Sequence, residues 1–149
     1  MTTRPTRGPQ TIVPYLAYDD APAAIAFLCA AFGFEERYRI PMADGRIGHA
    51  ELVYRDNVLM LASSYPEMGF ASPAKLPNVH AQVHISVEDV DAHFVRARVA
   101  GATIASEPTD QPHGDREYRV VDPEGHRWSF STSVRDMSPE EIRAAYAGQ

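Results

Sequence analysis

Hydrophobic and polar positions in the first half of the chain follow the period of a strand and then the period of a helix. Residues 11–18, TIVPYLAY, predict a strand, and residues 20–33 carry apolar side chains at helical spacing. Asp20 is suited to cap this helix, Pro22 lies in its first turn, and Gly33 ends it. Three further strands with polar turns between them are predicted at residues 36–41, 48–54 and 58–63. The first half therefore has the predicted order β-α-β-β-β.

The second half of the chain repeats this order. A strand is predicted at residues 81–87, followed by an acidic pair. The apolar stripe of Val90, Phe94 and Ala97 predicts a helix. Gly101 ends that helix. The remaining strands are predicted at residues 103–106, 115–121 and 126–132, the last two flanking a DPEG turn. Because the order occurs twice, the sequence predicts two similar modules.

The segments outside the two modules complete the predicted organisation of one structural domain. The first residues are rich in Pro, Gly and Thr, which predicts a flexible tail, and a segment with three prolines between the modules predicts a linker or a mobile flap. A capping box with proline at its first helical position predicts a short C-terminal helix. The predicted parts are a tail at 1–10, a first module at 11–64, a Pro-rich linker at 65–80, a second module at 81–133 and a C-terminal helix at 134–149.

Composition and charge narrow the classes of partner. The net charge is −6 and the 14 Lys and Arg residues are scattered, which argues against a nucleic acid or an anionic membrane as partner. The longest apolar run is too short to span a bilayer, and the N-terminus has no secretory signal. A single cysteine, Cys29, suits a reducing compartment. These features predict a soluble cytoplasmic protein.

The chain contains the stretches PYLAYDDAPAAIAFLCAAFGFE, GHAELVYRDNVLML and DPEGHRWSF. Together, in this order, they resemble the vicinal oxygen chelate superfamily, which includes glyoxalase I, extradiol dioxygenases and bleomycin-resistance proteins. The resemblance covers residues 11–133 and is strongest toward the PhnB-like or bleomycin-resistance-like branch. It implies an α+β fold in which two βαβββ modules form a curled mixed sheet or open barrel around a cavity, with helices on the outer face.

The same resemblance bears on metal binding. Metal enzymes of the superfamily place one ligand on the first and last strand of each module, usually His, Glu, His and Glu. The matching positions here are Val13, Met60, Gln82 and Ser129. None of these side chains suits a catalytic divalent cation, which prefers imidazole and carboxylate donors. The resemblance therefore implies the scaffold without the usual metal site, and no cofactor is predicted.

His49, Glu51 and His84 are the candidate residues for chemistry. His49 and Glu51 lie two apart on one face of a predicted strand. They are interpreted either as the polar wall of a ligand cavity, which is favoured, or as an acid–base pair or a relocated divalent-metal site. The predicted cavity residues are Val13, Tyr15, His49, Glu51, Met60, Gln82, His84, Arg116, Tyr118 and Ser129.

Other polar residues carry weaker signals. Arg116 precedes the DPEG turn, where it could hold an anionic ligand group or pair with a nearby carboxylate such as Glu117. His80 and His93 are expected to be surface residues.

The sequence thus predicts a metal-independent protein that binds and sequesters a planar or antibiotic-like small molecule. The predicted assembly is a homodimer, with pairing of the modules within one chain or between two chains left open. The alternative function is a lyase or isomerase that uses His49, Glu51 and His84 in acid–base chemistry or to bind a divalent metal.

Overall fold

Two β-α-β-β-β modules make up the described part of the chain, which is residues 10–149 of a computed structural model. The elements are β1 (Tyr15–Tyr18), α1 (Ala21–Phe32), β2 (Glu35–Pro41), β3 (Ile47–Tyr54), β4 (Asn57–Ser63), β5 (Gln82–Ser86), α2 (Val90–Val99), β6 (Thr103–Asp110), β7 (Asp115–Val121), β8 (Arg127–Ser133) and α3 (Pro139–Tyr146). The predicted α+β class and the two-module order are confirmed.

The chain divides into two compact units, the first extending to Leu76 and the second running from Pro77 to Gln149. Each unit contains one mixed four-stranded sheet, with orders β1-β4-β3-β2 and β5-β8-β7-β6. Among the described residues, no helix is long and apolar enough to cross a membrane. The tail predicted at residues 1–10 lies outside the described residues, except for Gln10.

The first helix has the boundaries that its capping residues predict. Asp20 accepts a hydrogen bond from the Ala23 amide at 3.1 Å, and this satisfies one of the amides that a helix leaves unpaired at its start. Gly33 has φ of 84°, a left-handed conformation that a glycine adopts without steric cost. Local sequence therefore determines both ends of α1.

The two faces of the first sheet differ in chemistry. Leu16, which is partly exposed, pairs with the buried Leu61, and both belong to the apolar face on which α1 packs. Tyr15 pairs with Met60 across β1 and β4, and Met60 pairs with Glu51 across β4 and β3. Since side chains alternate along a strand, Tyr15, Met60 and Glu51 share the face opposite the helix. That face holds the candidate polar residues.

One sequence expectation, that His93 is a surface residue, is wrong. His93 lies in α2 and is 9% exposed, with Nδ1 2.7 Å from the Tyr118 hydroxyl and its ring centroid 4.2 Å from that of Phe130. The reason is helical geometry, because residue 93 falls in the same stripe as the predicted apolar residues Val90 and Ala97. His93 is a structural residue between α2 and its sheet.

The start of the predicted Pro-rich linker folds onto the first unit. Tyr65 and Phe70 pair through backbone hydrogen bonds in both directions, enclosing one turn of 3₁₀ helix at Pro66–Met68. The Ser72 amide donates to Ser64 Oγ at 2.8 Å, and Ser64 Oγ donates to Asp19 at 2.6 Å. The segment from Tyr65 to Phe70, hereafter the folded-back segment, is thus anchored beside β1 and β4.

Candidate functional site

His49 and Glu51 lie together on β3 as predicted, and they form part of a hydrogen-bonded series. The Tyr15 hydroxyl lies 2.6 Å from His49 Nδ1, and His49 Nε2 lies 3.0 Å from Glu51 Oε2. The Tyr38 hydroxyl donates to the same carboxylate oxygen at 2.9 Å. Three strands, β1, β2 and β3, therefore contribute to one polar network.

Glu51 is the buried end of this network. The residue is 0% exposed, and a carboxylate removed from water in this way requires charged or hydrogen-bonding neighbours. Arg37 supplies a positive charge with its guanidinium nitrogen 3.6 Å from Glu51 Oε1, while Tyr38 and His49 contact Oε2. These contacts stabilise Glu51 as an ionised carboxylate.

Tyr15 is the end of the network that lies nearer to solvent. Partial burial raises the pKa of Tyr15 above its ordinary value, and the nearby Tyr38, Glu51 and Tyr65 raise it further. The Tyr15 hydroxyl therefore keeps its proton at neutral pH. A protonated phenol is able to donate to His49, so the network runs from a neutral phenol to a buried anion.

A pocket of about 510 Å³ opens beside this network within the first unit. Its wall combines aromatic rings, two methionines and an aliphatic side chain with the imidazole of His49. A site of this size, mostly apolar with a few polar groups, is typical of small-molecule binding. The lining residues are Tyr15, Ile40, Met42, Gly48, His49, Tyr65, Met68 and Phe70.

The folded-back segment forms one side of the pocket, and sequence reasoning did not assign its residues to the site. Tyr65, Met68 and Phe70 line the pocket, and the Phe70 ring meets the Tyr15 ring edge-on with centroids 5.5 Å apart. The available signal was the presence of two aromatic residues and a methionine in a proline-rich stretch. The prediction treated that stretch only as a linker or flap.

Arg46 stabilises this side of the pocket from outside. Its guanidinium lies 3.9 Å from the centre of the Tyr65 ring, at the range of a cation–π interaction. It also pairs with Asp44 at 2.8 Å and with Glu67 at 2.7 Å. Arg46 therefore connects the β2–β3 turn to the folded-back segment.

Gly48 allows Met42 to lie against the strand. A Cβ atom at Gly48 would lie 2.8 Å from Met42 Sδ and 3.0 Å from Met42 Cγ, both closer than normal packing allows. The thioether can occupy this part of the pocket wall only because residue 48 has no side chain. Gly48 was predicted simply as the start of a strand.

The second unit carries a separate polar cluster on its sheet. His84 Nδ1 lies 2.6 Å from Ser129 Oγ, and His84 Nε2 lies 3.0 Å from Ser131 Oγ. Ser131 also donates to Asp115 at 3.4 Å. Both ring nitrogens of His84 are thus engaged by serine hydroxyls, while Gln82 is exposed on the same strand.

Arg116 and Tyr118 have structural contacts. Arg116 pairs with Asp91 at 3.1 Å and with Asp110 at 3.0 Å, rather than with the adjacent Glu117. Tyr118 is 0% exposed and packs under α2 against Phe94, with its hydroxyl bonded to His93. Tyr118 therefore lies on the helix side of its sheet, where it does not share a face with Ser129.

The four positions that match the superfamily's metal ligands do not fit a divalent cation. In the first unit, Val13 offers no donor atom and Met60 is a buried thioether, which is a soft ligand. In the second unit, Gln82 is a neutral amide and the Ser129 hydroxyl is bonded to His84. Among residues 10–149, no three His, Cys, Asp or Glu side chains are grouped so that they could hold a metal ion.

The fold agrees with the family comparison. Residues 10–130 match the model of the Glyoxalase/Bleomycin resistance protein/Dioxygenase superfamily. The chain belongs to this superfamily, which is the vicinal oxygen chelate superfamily indicated by the sequence motifs.

Particular relatives are found by sequence and by structure. The uncharacterized protein Mb0911c of Mycobacterium bovis is 40% identical over 139 residues, which are 91% of each chain. TioX from Micromonospora sp. ML1 is similar in structure with a TM-score of 0.66 and 35% identity, over 83% of this chain and 98% of TioX. TnmS3, an antibiotic binding protein from Streptomyces sp. CB03234, shares the fold with a TM-score of 0.63 and 21% identity, over 81% of this chain and 93% of TnmS3.

Proposed function

We propose that this protein binds a planar, largely apolar small molecule in the pocket of its first unit, and that binding sequesters the molecule. The observation that carries the proposal is the lining, in which three aromatic rings and two methionines surround about 510 Å³. Aromatic rings stack on planar ligands, and unbranched thioethers adapt to irregular shapes. Tyr15 and His49 supply the polar contact that orients the ligand.

The size of the apolar wall is consistent with useful affinity. Burial of about 200 Å² of apolar ligand surface contributes about 5 kcal/mol, and the costs of association are subtracted from this amount. Stacking and one oriented hydrogen bond then decide which molecule binds. The antibiotic-binding protein TnmS3 uses the same fold, which supports an antibiotic-like ligand as one class to test.

A thermal-shift screen with planar aromatic compounds, including polycyclic antibiotics, tests the proposal. A ligand that binds the folded state raises the melting temperature, by an amount equivalent to about 2.7 kcal/mol at a hundredfold excess over Kd. We expect Phe70→Ala to abolish the shift, because it removes one aromatic side of the pocket. Phe27→Ala is the matched control, since Phe27 packs on Phe32 in α1 outside the pocket. Failure of every planar compound to shift the wild type would contradict the proposal.

The proposal includes binding without a metal. Because the positions that match the superfamily's ligands carry unsuitable donors, a chelator is expected to leave the affinity of a bound planar compound unchanged. Isothermal titration before and after EDTA treatment, with elemental analysis of the same sample, checks this expectation. A tightly held equivalent of metal that is lost in His49→Ala would instead support the relocated metal site.

A second function, proton transfer by a lyase or isomerase, is favoured by the hydrogen-bonded network alone. A ligand C–H acid beside Tyr15 could pass its proton to Tyr15 Oη while the Tyr15 proton passes to His49 Nδ1. The resulting imidazolium would be stabilised by Glu51, and the electron pair would remain on the ligand carbon. Deuterium exchange into a bound ketone in D₂O, lost in His49→Gln, would support this function. Absence of exchange with a ketone that demonstrably binds would exclude it for that ligand class.

A further inference from the structure

The hydrogen-bond direction within the network of Tyr15, His49 and Glu51 follows from the chemistry of its members. An ionised carboxylate only accepts, so the contact between Glu51 and His49 requires a proton on Nε2. A neutral imidazole with its proton on Nε2 accepts at Nδ1. With a neutral His49 in this tautomer, Tyr15 donates its hydroxyl proton to His49 across the 2.6 Å contact.

This direction determines what Tyr15 can offer to the pocket. Its single proton is directed at His49, so its oxygen presents lone pairs to a bound molecule. Both nitrogens of His49 are occupied by Tyr15 and Glu51, so the imidazole offers the pocket its ring rather than a donor. The polar edge of the pocket is thus a hydrogen-bond acceptor.

Charge around the pocket acts in the same direction. Glu51 lies behind His49, and its negative charge is partly offset by Arg37, whose guanidinium nitrogen lies 3.6 Å from Glu51 Oε1. No Lys or Arg is among the described residues that line the pocket. Arg46, which lies next to the wall, is engaged by Asp44, by Glu67 and by the ring of Tyr65. An anionic group in the pocket would meet a carboxylate behind His49 and no cation on the wall.

We infer that the pocket selects planar molecules that present a hydrogen-bond donor, such as a phenol, an amide N–H or a protonated amine, to Tyr15, and that it discriminates against anions. This inference rests on the proposed function and defines its ligand class further. Glu51 is a positioning residue in this scheme, because it sets the tautomer of His49 without touching the ligand.

Three naphthalenes of similar shape test the inference on the full-length protein at neutral pH. 2-Naphthol presents a hydroxyl donor, 2-methoxynaphthalene presents only an ether acceptor, and 2-naphthoate presents an anion. We expect 2-naphthol to bind about three- to tenfold more tightly than 2-methoxynaphthalene, because this is the gain in affinity that one hydrogen bond provides. We expect 2-naphthoate to bind most weakly of the three. Dissociation constants are measured by ligand fluorescence and by NMR titration.

Three variants separate the preference for a hydrogen-bond donor on the ligand from the binding of planar ligands in general. Tyr15→Phe is expected to reduce the ratio of the two affinities to about one, because the acceptor oxygen is gone. Glu51→Gln is expected to weaken the preference and to improve 2-naphthoate binding, because a neutral amide no longer holds His49 in one tautomer or repels an anion. Tyr54→Phe is the matched control, since Tyr54 packs on Phe34 at 5.9 Å and does not line the pocket.

The outcomes distinguish the two levels of the proposal. If none of the three naphthalenes binds, the proposed planar-ligand function is contradicted. If they bind with equal affinity, if 2-naphthoate binds best, or if Tyr15→Phe keeps the preference, the donor inference is overturned while the pocket function stands. Since Glu51 is buried, circular dichroism checks the folding of Glu51→Gln, and Tyr15→Phe decides the inference if that variant unfolds.

Discussion

At the scale of single residues, the site depends on residues that act through the side chains they contact. Glu51 is buried and does not itself line the pocket, yet its contact with the lining residue His49 fixes the protonation pattern of His49 and, through it, of Tyr15. His84 in the second unit contacts no carboxylate through its ring nitrogens in these hydrogen bonds, since neutral serine hydroxyls contact both of them. The histidines on β3 and β5 therefore have different chemical settings.

Gly48→Ala tests the shape of the pocket wall at this scale. The new methyl group would overlap the Met42 thioether, and the flexible, half-exposed Met42 side chain would move out of its place. Because φ at this position is not in the left-handed region, we expect a change of less than about 1 kcal/mol in the free energy of unfolding. We expect a clear loss of 2-naphthol affinity, measured by titration.

The double variant Met42→Ala/Gly48→Ala provides the control for this prediction. If the lost affinity comes from displacement of Met42, the two substitutions will be non-additive, because Met42→Ala removes the group that Gly48→Ala displaces. Additive effects on affinity would show that Gly48 acts in some other way.

At the scale of elements, the folded-back segment from Tyr65 to Phe70 decides whether the first unit has a pocket or an open sheet face. It supplies three of the lining residues, and its own backbone pairing makes it a defined structure. Its anchor is the Ser64 hydroxyl, which connects Asp19 at the end of β1 to the amide of Ser72. Local order in this proline-rich stretch therefore depends in part on one serine hydroxyl, beside the backbone pairing and the contacts of Arg46.

Ser64→Ala is expected to loosen this segment. The substitution leaves the part-buried Ser72 amide without its acceptor, at a cost of about 1–3 kcal/mol. We expect faster hydrogen exchange of the Ser72 amide and weaker binding of planar probes, with the melting temperature of the protein lowered. Ser133→Ala, at the exposed end of β8, is the matched control. Unchanged exchange at Ser72 would contradict the role given to Ser64.

At the scale of the whole molecule, two modules of the same order carry different chemistry. The first unit has an apolar pocket beside a buried carboxylate, and the second has a histidine and serines on its sheet. Duplication of the fold has therefore not duplicated the site. Function in this protein has to be assigned to each unit from its own residues.

The predicted assembly is a property of the whole molecule as well. We propose a cytoplasmic homodimer in which the modules pair within one chain or between two. Sedimentation velocity at micromolar concentration is expected to give twice the chain mass of 16.5 kDa, and a monomer at all concentrations would contradict the proposal. Mixing chains of different isotopic mass would then separate stable pairing between chains from pairing within one chain.

The sequence alone determined the features that depend on local interactions. Helix α1 begins and ends at Asp20 and Gly33, and α3 has the capping box of Ser138 and Glu141, because caps bond to backbone groups within a few residues. Strand alternation is also local, and it placed His49 and Glu51 on one face because they lie two residues apart. The unsuitable donor types at the metal-ligand positions were equally visible, once the family resemblance had located those positions.

Tertiary structure decided what depends on contacts between distant residues. Tyr15 meets His49 across 34 positions of sequence, and Tyr38 reaches Glu51 from a neighbouring strand. His93 is buried against Tyr118 of β7 and Phe130 of β8. The folded-back segment becomes a pocket wall through its contacts with Ser64 and Arg46. Periodicity predicts the face of the strand or helix on which a side chain lies. Its contact partners depend on strand register and on how segments pack. The pocket and the direction of its hydrogen bonds were therefore visible only in the folded chain.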